Sequence, residues 1–246
     1  MERALGWRPT RFRRADERRG TSDTAARWIV ADADVSAFVK IGATDLTADW
    51  TRTEYWNYRT LTGWFMPQVL GFDDDGTRPA LALEDLSEAF WPPPWTDQRV
   101  AAVLDVLSAI RQTAPPAHLR RRENDLGSTW RDVAEDPTPF LELGLCTPAW
   151  LEASLPALVS AAAEAPIAGD SLVHLDVRSD NLCFRDGRAV LLDWNHAGVA
   201  NADLDIAFWL PSLHAEGGPP PEEVLPSSPG LAAWVAGEIY SSPSSA

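Results

Sequence analysis

Thiols are scarce: Cys146 and Cys183 are the only two in 246 residues. That excludes a disulfide framework, and leaves too few thiols for a zinc cluster or an iron–sulfur centre. A reducing compartment, the cytoplasm, is the expected setting. No apolar run reaches the ~18 residues of a membrane span, so no membrane association is expected. The first 20 residues are arginine-rich and lack the apolar stretch of a secretory signal. Positive charge is also short, with 21 Lys and Arg against 36 Asp and Glu for a net charge of −15. A chain this acidic is a poor binder of a phosphodiester backbone, so nucleic acid is not an expected partner. Lysine is nearly missing: Lys40 stands alone beside twenty arginines. Either it survives by chance, or it marks a place that needs a compact point charge rather than a planar guanidinium.

What is present is an ordinary globular composition, 45% hydrophobic and 23% charged, enough for a packed core and against wholesale disorder. Charge is unevenly spread. Seven arginines against three acids give residues 1–20 a charge of +4, so the remainder carries −19. The basic start is expected to be a solvated edge strand. The acidic remainder either keeps the surface soluble or attracts a cationic substrate.

Strands are expected at 11–18, 27–32 and 36–41, separated by the turns 19–23 and 32–34. A helix follows to about Leu61, capped by Asp45 or Thr47, with Leu46, Trp50, Glu54, Tyr58 and Leu61 on one face. A glutamate on that face requires a cationic partner or a hydrogen bond. Strands at 66–72 and 79–84 complete a small antiparallel sheet. After Glu84-Asp85-Leu86 the pattern changes. Trp91-Pro92-Pro93-Pro94-Trp95 connects to an amphipathic helix at 97–113, and a second helix spans about 148–164. Two short strands follow around Asp186-Gly187, then a helix at 201–210. The remainder, rich in Pro, Gly and Ser, is broken by Gly217-Gly218-Pro219-Pro220-Pro221 and holds a short apolar stretch before a polar tail. Sheet first and helices later, joined by a linker, is a two-lobed α+β plan with a cleft between lobes, divided at 1–86 and 87–246.

The segment Ser171-Leu172-Val173-His174-Leu175-Asp176-Val177-Arg178-Ser179-Asp180-Asn181 carries the pattern H-x-D-x-x-x-x-N. Twelve residues after Asn181 an apolar run, Val190-Leu191-Leu192, ends in Asp193. Together these resemble the catalytic loop and metal-binding strand of the aminoglycoside phosphotransferase-like kinases, a branch of the protein-kinase-like fold. Upstream, Phe38-Val39-Lys40 resembles the nucleotide lysine of the third strand, Glu54 the helix glutamate that pairs with it, and Glu84-Asp85-Leu86 the hinge. Downstream, Asp193-Trp194-Asn195-His196-Ala197-Gly198 through Asp205-Ile206-Ala207 is similar to the family's D-W-E-x-A … D-L-A run.

The resemblance implies a phosphotransferase moving the γ-phosphate of ATP or GTP to a small-molecule hydroxyl, with Mg²⁺ as cofactor. A divalent cation needs hard oxygen ligands, which Asn181 and Asp193 can supply. Asp176 is placed to accept a proton from the incoming hydroxyl. Lys40 would hold the α- and β-phosphates, oriented by Glu54, or Glu54 pairs with some arginine instead. Arg178 meets the transferred phosphate or is a surface arginine. His174, counted with the catalytic residues, reads as a base or metal ligand by position, but the resemblance makes it a brace of the loop. Asp205 resembles the family's buried aspartate that ties the loop down, or caps a helix. Asp180 is expected to be solvated, and the tryptophans Trp91, Trp95, Trp194 and Trp209 to be core, or, for Trp91 and Trp95 near the hinge, to line a pocket. The phosphate-covering loop falls on Gly20-Thr21-Ser22-Asp23-Thr24, with one glycine where the wider kinase pattern has three. Asn195 stands for the usual glutamate. Only about 40 residues follow Asp205 where the family continues with several helices, so the acceptor site is expected to be open, or the chain a truncated form or non-catalytic nucleotide-binding module. A protein kinase is the weaker reading, since no D-F-G or A-P-E occurs.

Overall fold

In the computed structural model, residues 1–15, 25–122, 129–226 and 228–241 are described. The N-terminal lobe is a five-stranded antiparallel sheet in the order β1-β2-β3-β5-β4, made of β1 (Arg11–Arg14), β2 (Ala25–Asp32), β3 (Val35–Gly42), β4 (Val69–Asp73) and β5 (Ala80–Glu84). Alternation sorts its faces. Val30, Ala37, Val39, Ala80 and Ala82 are buried on the rear face beneath the short helix α1 (Glu2–Leu5). The edge strand β1 is exposed along its whole length, as its arginines require.

Helix α2 (Asp45–Thr60) lies over β3. Its cap is Thr44, not the expected Asp45 or Thr47: Thr44 Oγ1 accepts from Thr47 N at 3.3 Å, and Thr47 Oγ1 accepts from Thr44 N at 2.9 Å. The expected buried face is also corrected. Thr47, Ala48, Thr51, Glu54, Asn57 and Tyr58 are buried, whereas Leu46 and Trp50 are 58% and 37% exposed. The helix sits so close to the strand that a Cβ on Gly42 would lie 2.5 Å from Ala48 Cα. Only small side chains fit there, and the large apolar ones are turned outward.

The second lobe contains α3 (Asp97–Gln112), α4 (Trp130–Glu135), α5 (Thr138–Glu142), α6 (Pro148–Ala163), α7 (Asp203–Ala215), α8 (Pro221–Val224) and α9 (Pro229–Ser241). Two short antiparallel ladders are set among them, β6 (Ser171–Val173) with β9 (Gly198–Ala200), and β7 (Leu182–Arg185) with β8 (Arg188–Leu191). The strand expected from residue 66 begins at Val69. The helix expected at 201–210 is α7, and the end of the chain, where no further helices were expected after it, forms α8 and α9. Leu231, Trp234 and Val235 of α9 are buried in one cluster with Leu151 of α6 and Leu204 of α7.

The lobes share one apolar core at their rear, where Tyr58, Leu61, Phe65, Leu81 and Leu83 pack with Val103, Leu107, Leu172 and Trp209. A backbone bond stitches the seam, from Leu191 N to Phe65 O at 2.8 Å. No helix among the described residues is long and apolar enough to cross a membrane.

Candidate active site

Strand alternation turns Phe38 and Lys40 of β3 into the cleft between the lobes. Lys40 is 5% exposed, and its Nζ lies 2.7 Å from Glu54 Oε2 and 3.1 Å from Asp193 Oδ1, across 153 residues of sequence. Burial alone would push the ammonium pKa down, but Asp193 and Glu54 outweigh it and hold it above the ordinary value. Glu54 is pushed up to about 7 by burial, with Lys40 opposing. Asp193, only half-buried, is held below the ordinary carboxylate range because Lys40 overcomes its desolvation. One ammonium thus serves two carboxylates, and the proton taken up as pH falls goes to Glu54 first.

The loop after β6 is tied down from behind. Asp205, at the start of α7, accepts from His174 N at 2.9 Å and Leu175 N at 2.7 Å, which holds Leu175 at the left-handed φ of 62°. It caps the loop rather than its own helix. His174 is fully buried. Its Nε2 meets Leu192 O at 2.9 Å, its Nδ1 accepts from Asp176 N at 3.2 Å, and its ring stands edge-on to Trp194. Burial lowers its pKa to about 4, so the ring is neutral at physiological pH. It neither lines the cleft nor is placed as base or metal ligand.

Asp176 accepts from Asn181 Nδ2 at 2.6 Å. Burial raises its pKa, opposed by Arg178. Arg178 is engaged bidentately by Asp180 at 3.0 and 2.7 Å and stands 3.5 Å from Asp176. Asp180, expected to be solvated, is therefore paired. Leu192 N donates to Asn181 O at 2.8 Å, which places the residue before Asp193 against the loop. Asp193 itself has φ 60° and accepts from Asn195 Nδ2.

Lys40, Glu54, Asp180, Asn181 and Asp193 meet in a cleft of about 240 Å³, while Asp176 and Arg178 stand beside it on the same loop and are not part of its lining. Its apolar walls are Ile29, Phe38, Leu83, Leu86 and Leu192, and its polar end holds Lys40, Glu54, Asn181 and Asp193. Trp91 lines it as expected, with its indole N–H on Leu86 O at 3.1 Å. Trp95 packs on Trp209 and donates to Glu216. The Glu84 carboxylate is tied rearward, accepting from Gln68 N at 2.9 Å and pairing with Arg185, so only its main chain is available as a hinge. A larger groove of about 790 Å³ runs behind the hinge, but of the candidate residues only Glu84 reaches it. Gly20, Thr21 and Ser22 lie outside the described residues. Sequence reasoning missed Asn57, whose Nδ2 donates to Trp194 O at 2.7 Å and ties α2 to the segment after Asp193. It also missed Arg27, which lines the cleft.

No cluster of three or more His, Cys, Asp or Glu that could hold a metal occurs among the described residues. Asn181 and Asp193 nevertheless suit magnesium, which takes few protein oxygens and keeps phosphate and water ligands. Asp193 is held ionised, and the Asn181 amide is fixed with its nitrogen on Asp176, leaving its oxygen as the free end.

Residues 6–236 match the sequence profile described as the phosphotransferase enzyme family. No curated protein matches the sequence significantly. Among solved structures, the fold is similar to the aminoglycoside phosphotransferase APH(4)-Ia, a thermostable mutant in ternary complex with AMP-PNP and hygromycin B. The identity is 16%, coverage is 95% of this chain and 84% of the other, and the TM-score is 0.59. It is similar to choline kinase LicA from Streptococcus pneumoniae, at 14% identity, 92% and 75% coverage and a TM-score of 0.59. It is also similar to spectinomycin phosphotransferase APH(9)-Ia in complex with ADP and spectinomycin, at 13% identity, 97% and 78% coverage and a TM-score of 0.60.

Proposed function

The chain belongs to the phosphotransferase enzyme family, and from that premise we propose that it moves the γ-phosphoryl group of ATP or GTP to a hydroxyl of a small, cationic molecule. The observation that carries this reading is the Lys40–Glu54–Asp193 chain of ion pairs across the cleft, with Asn181 and Asp176 beside it. Phosphoryl transfer depends on positioning and charge neutralisation more than on covalent help, and these are what the groups offer. Lys40 holds the α- and β-phosphates, and Glu54 fixes its direction. The base lies among Ile29, Phe38, Leu83 and Leu192, against the main chain of Glu84 and Leu86. Asn181 and Asp193 would hold Mg²⁺, which would supply positive charge to the phosphate chain. Asp176 orients the acceptor hydroxyl and takes its proton, its raised pKa making it a better base than an ordinary aspartate. Arg178 must leave Asp180 to meet the transferred phosphate. His174 is a positioning residue behind this loop.

The cationic acceptor is favoured by the carboxylates around the loop, Asp176, Asp180 and Glu216, and by solved neighbours that bind hygromycin B or are named for choline. A non-catalytic module has no support, since Lys40, Asp176, Asn181 and Asp193 are all present and converge. The test is a coupled nucleotide-turnover screen of amino alcohols, aminocyclitols and neutral polyols with ATP and GTP. Magnesium-dependent transfer to a hydroxyl is expected. In Asp176→Asn, kcat should fall about 10²- to 10⁴-fold with nucleotide binding retained. Undiminished turnover in that variant would remove Asp176 from the chemistry.

A further inference from the structure

Resting on the phosphotransferase reading, we propose that Arg27 is a second phosphate-binding cation of the nucleotide site, acting beside Lys40 on the terminal phosphates. Lys40 and a magnesium ion on Asn181 and Asp193 together still fall short of the charge of a polyphosphate. The Lys40 ammonium already lies between Glu54 at 2.7 Å and Asp193 at 3.1 Å, so the trio is net negative when all three are ionised. Arg178 is held by Asp180. Arg27 sits where the deficit lies. The β2–β3 register sets it directly opposite Lys40 and sets Ile29 opposite Phe38. Paired residues of antiparallel strands project from one face with Cβ atoms about 5 Å apart, and all four of these side chains line the cleft. Arg13, opposite Ile29 on β1, lines it one strand further out. The positive field of Arg27 reaches the trio, lowering the pKa of each member. A guanidinium meets phosphate oxygens bidentately, which an ammonium cannot do. The segment 20–24 has a single glycine, and a side-chain fork on β2 supplies donors that a glycine-rich loop draws from its main chain.

The test is calorimetric titration of the whole chain, with magnesium, by AMP-PNP, ADP and AMP and by the guanine counterparts, in wild type, Arg27→Gln and Arg27→Lys. Arg27→Gln should weaken the triphosphate analogue about 10- to 100-fold, the diphosphate less and the monophosphate not at all. Arg27→Lys should fall between. The free protein should stay folded in both variants, as its unfolding transition would show, because the side chain is only half-buried. Unchanged triphosphate affinity in Arg27→Gln, or an equal loss for all three nucleotides, overturns the role of Arg27 while leaving the phosphotransferase reading intact. A wild-type protein that binds neither nucleotide series overturns that reading itself.

Discussion

His174 shows how far residue-level reading reaches. Its spacing from Asp176 was legible, and so was the pairing of Lys40 with Glu54, because chemistry of this kind fixes residue types. Its burial was not legible, because that depends on Trp194 and Leu192, which fold against it from 18 or more residues away. Burial has a consequence in pH. The free imidazole titrates near 6.5 and the folded one near 4, so the unfolded chain takes up a proton that the folded protein refuses. The His174 contribution to stability is therefore complete above about pH 6.5 and is lost as pH falls towards 4. Asp205 works in the opposite sense. Burial raises its pKa to about 6, so its contribution is present at low pH and is lost as pH rises through 6. The two largely cancel in the wild type. In His174→Gln the cancellation ends, and denaturant unfolding measured from pH 4 to 6.5 should show the gap to wild type widening with pH by about 1.4 kcal/mol per unit. A gap independent of pH would mean that His174 is not held neutral in the fold.

At the scale of elements, long periodic segments were the readable ones. The strands β2, β3 and β5 and the helices α3 and α6 fall within a few residues of expectation. Most of the pieces that were missed are short, such as α1, α4, α5 and β9, where three to six residues give a period of 3.6 or 2 too little length to register, but the 13-residue α9 was missed as well, in a segment whose Pro, Gly and Ser content argued against a helix. The face of α2 was misread for a different reason. Apolar periodicity marks Leu46 and Trp50, but distance to β3 decides what is buried, and Gly42 sets that distance. Adding a methyl there places a carbon 2.5 Å from Ala48 Cα and 2.8 Å from Ala48 N, both main chain of α2. The helix must then move, taking Glu54 away from Lys40. Gly42→Ala should destabilise the fold by about 1–3 kcal/mol and also lower turnover. Lower turnover at wild-type stability would also implicate Glu54 placement, but wild-type turnover would show that the site tolerates the shift.

Over the whole molecule, charge is the property that sequence conveys best, because it does not depend on how the chain folds. The net charge of −15 is not spread evenly: β1 keeps its arginines exposed at the far edge of the small lobe, while Asp176, Asp180 and Glu216 stand around the catalytic loop. Glu216 accepts from Ser179 Oγ and from Trp95 Nε1 at 2.9 Å, so its carboxylate is fixed against the loop that carries Asp176 and Asn181. On the proposed reading, the bound nucleotide would be offset locally by Lys40, Arg27 and Mg²⁺, which would leave the acceptor side acidic. A field of that sign concentrates cations and repels anions, and it weakens as the Debye length shrinks from about 30 Å at 0.01 M salt to about 8 Å at 0.15 M. The KM of a cationic acceptor should therefore rise across that range while kcat holds, since screening acts on encounter and binding rather than on the aligned complex. A neutral polyol run alongside separates this from any general effect of salt on the enzyme, because its KM should stay flat. Equal salt dependence for the two acceptors, or a KM that falls with salt for the cation, would assign the acidity to solubility alone and remove the argument for a cationic acceptor.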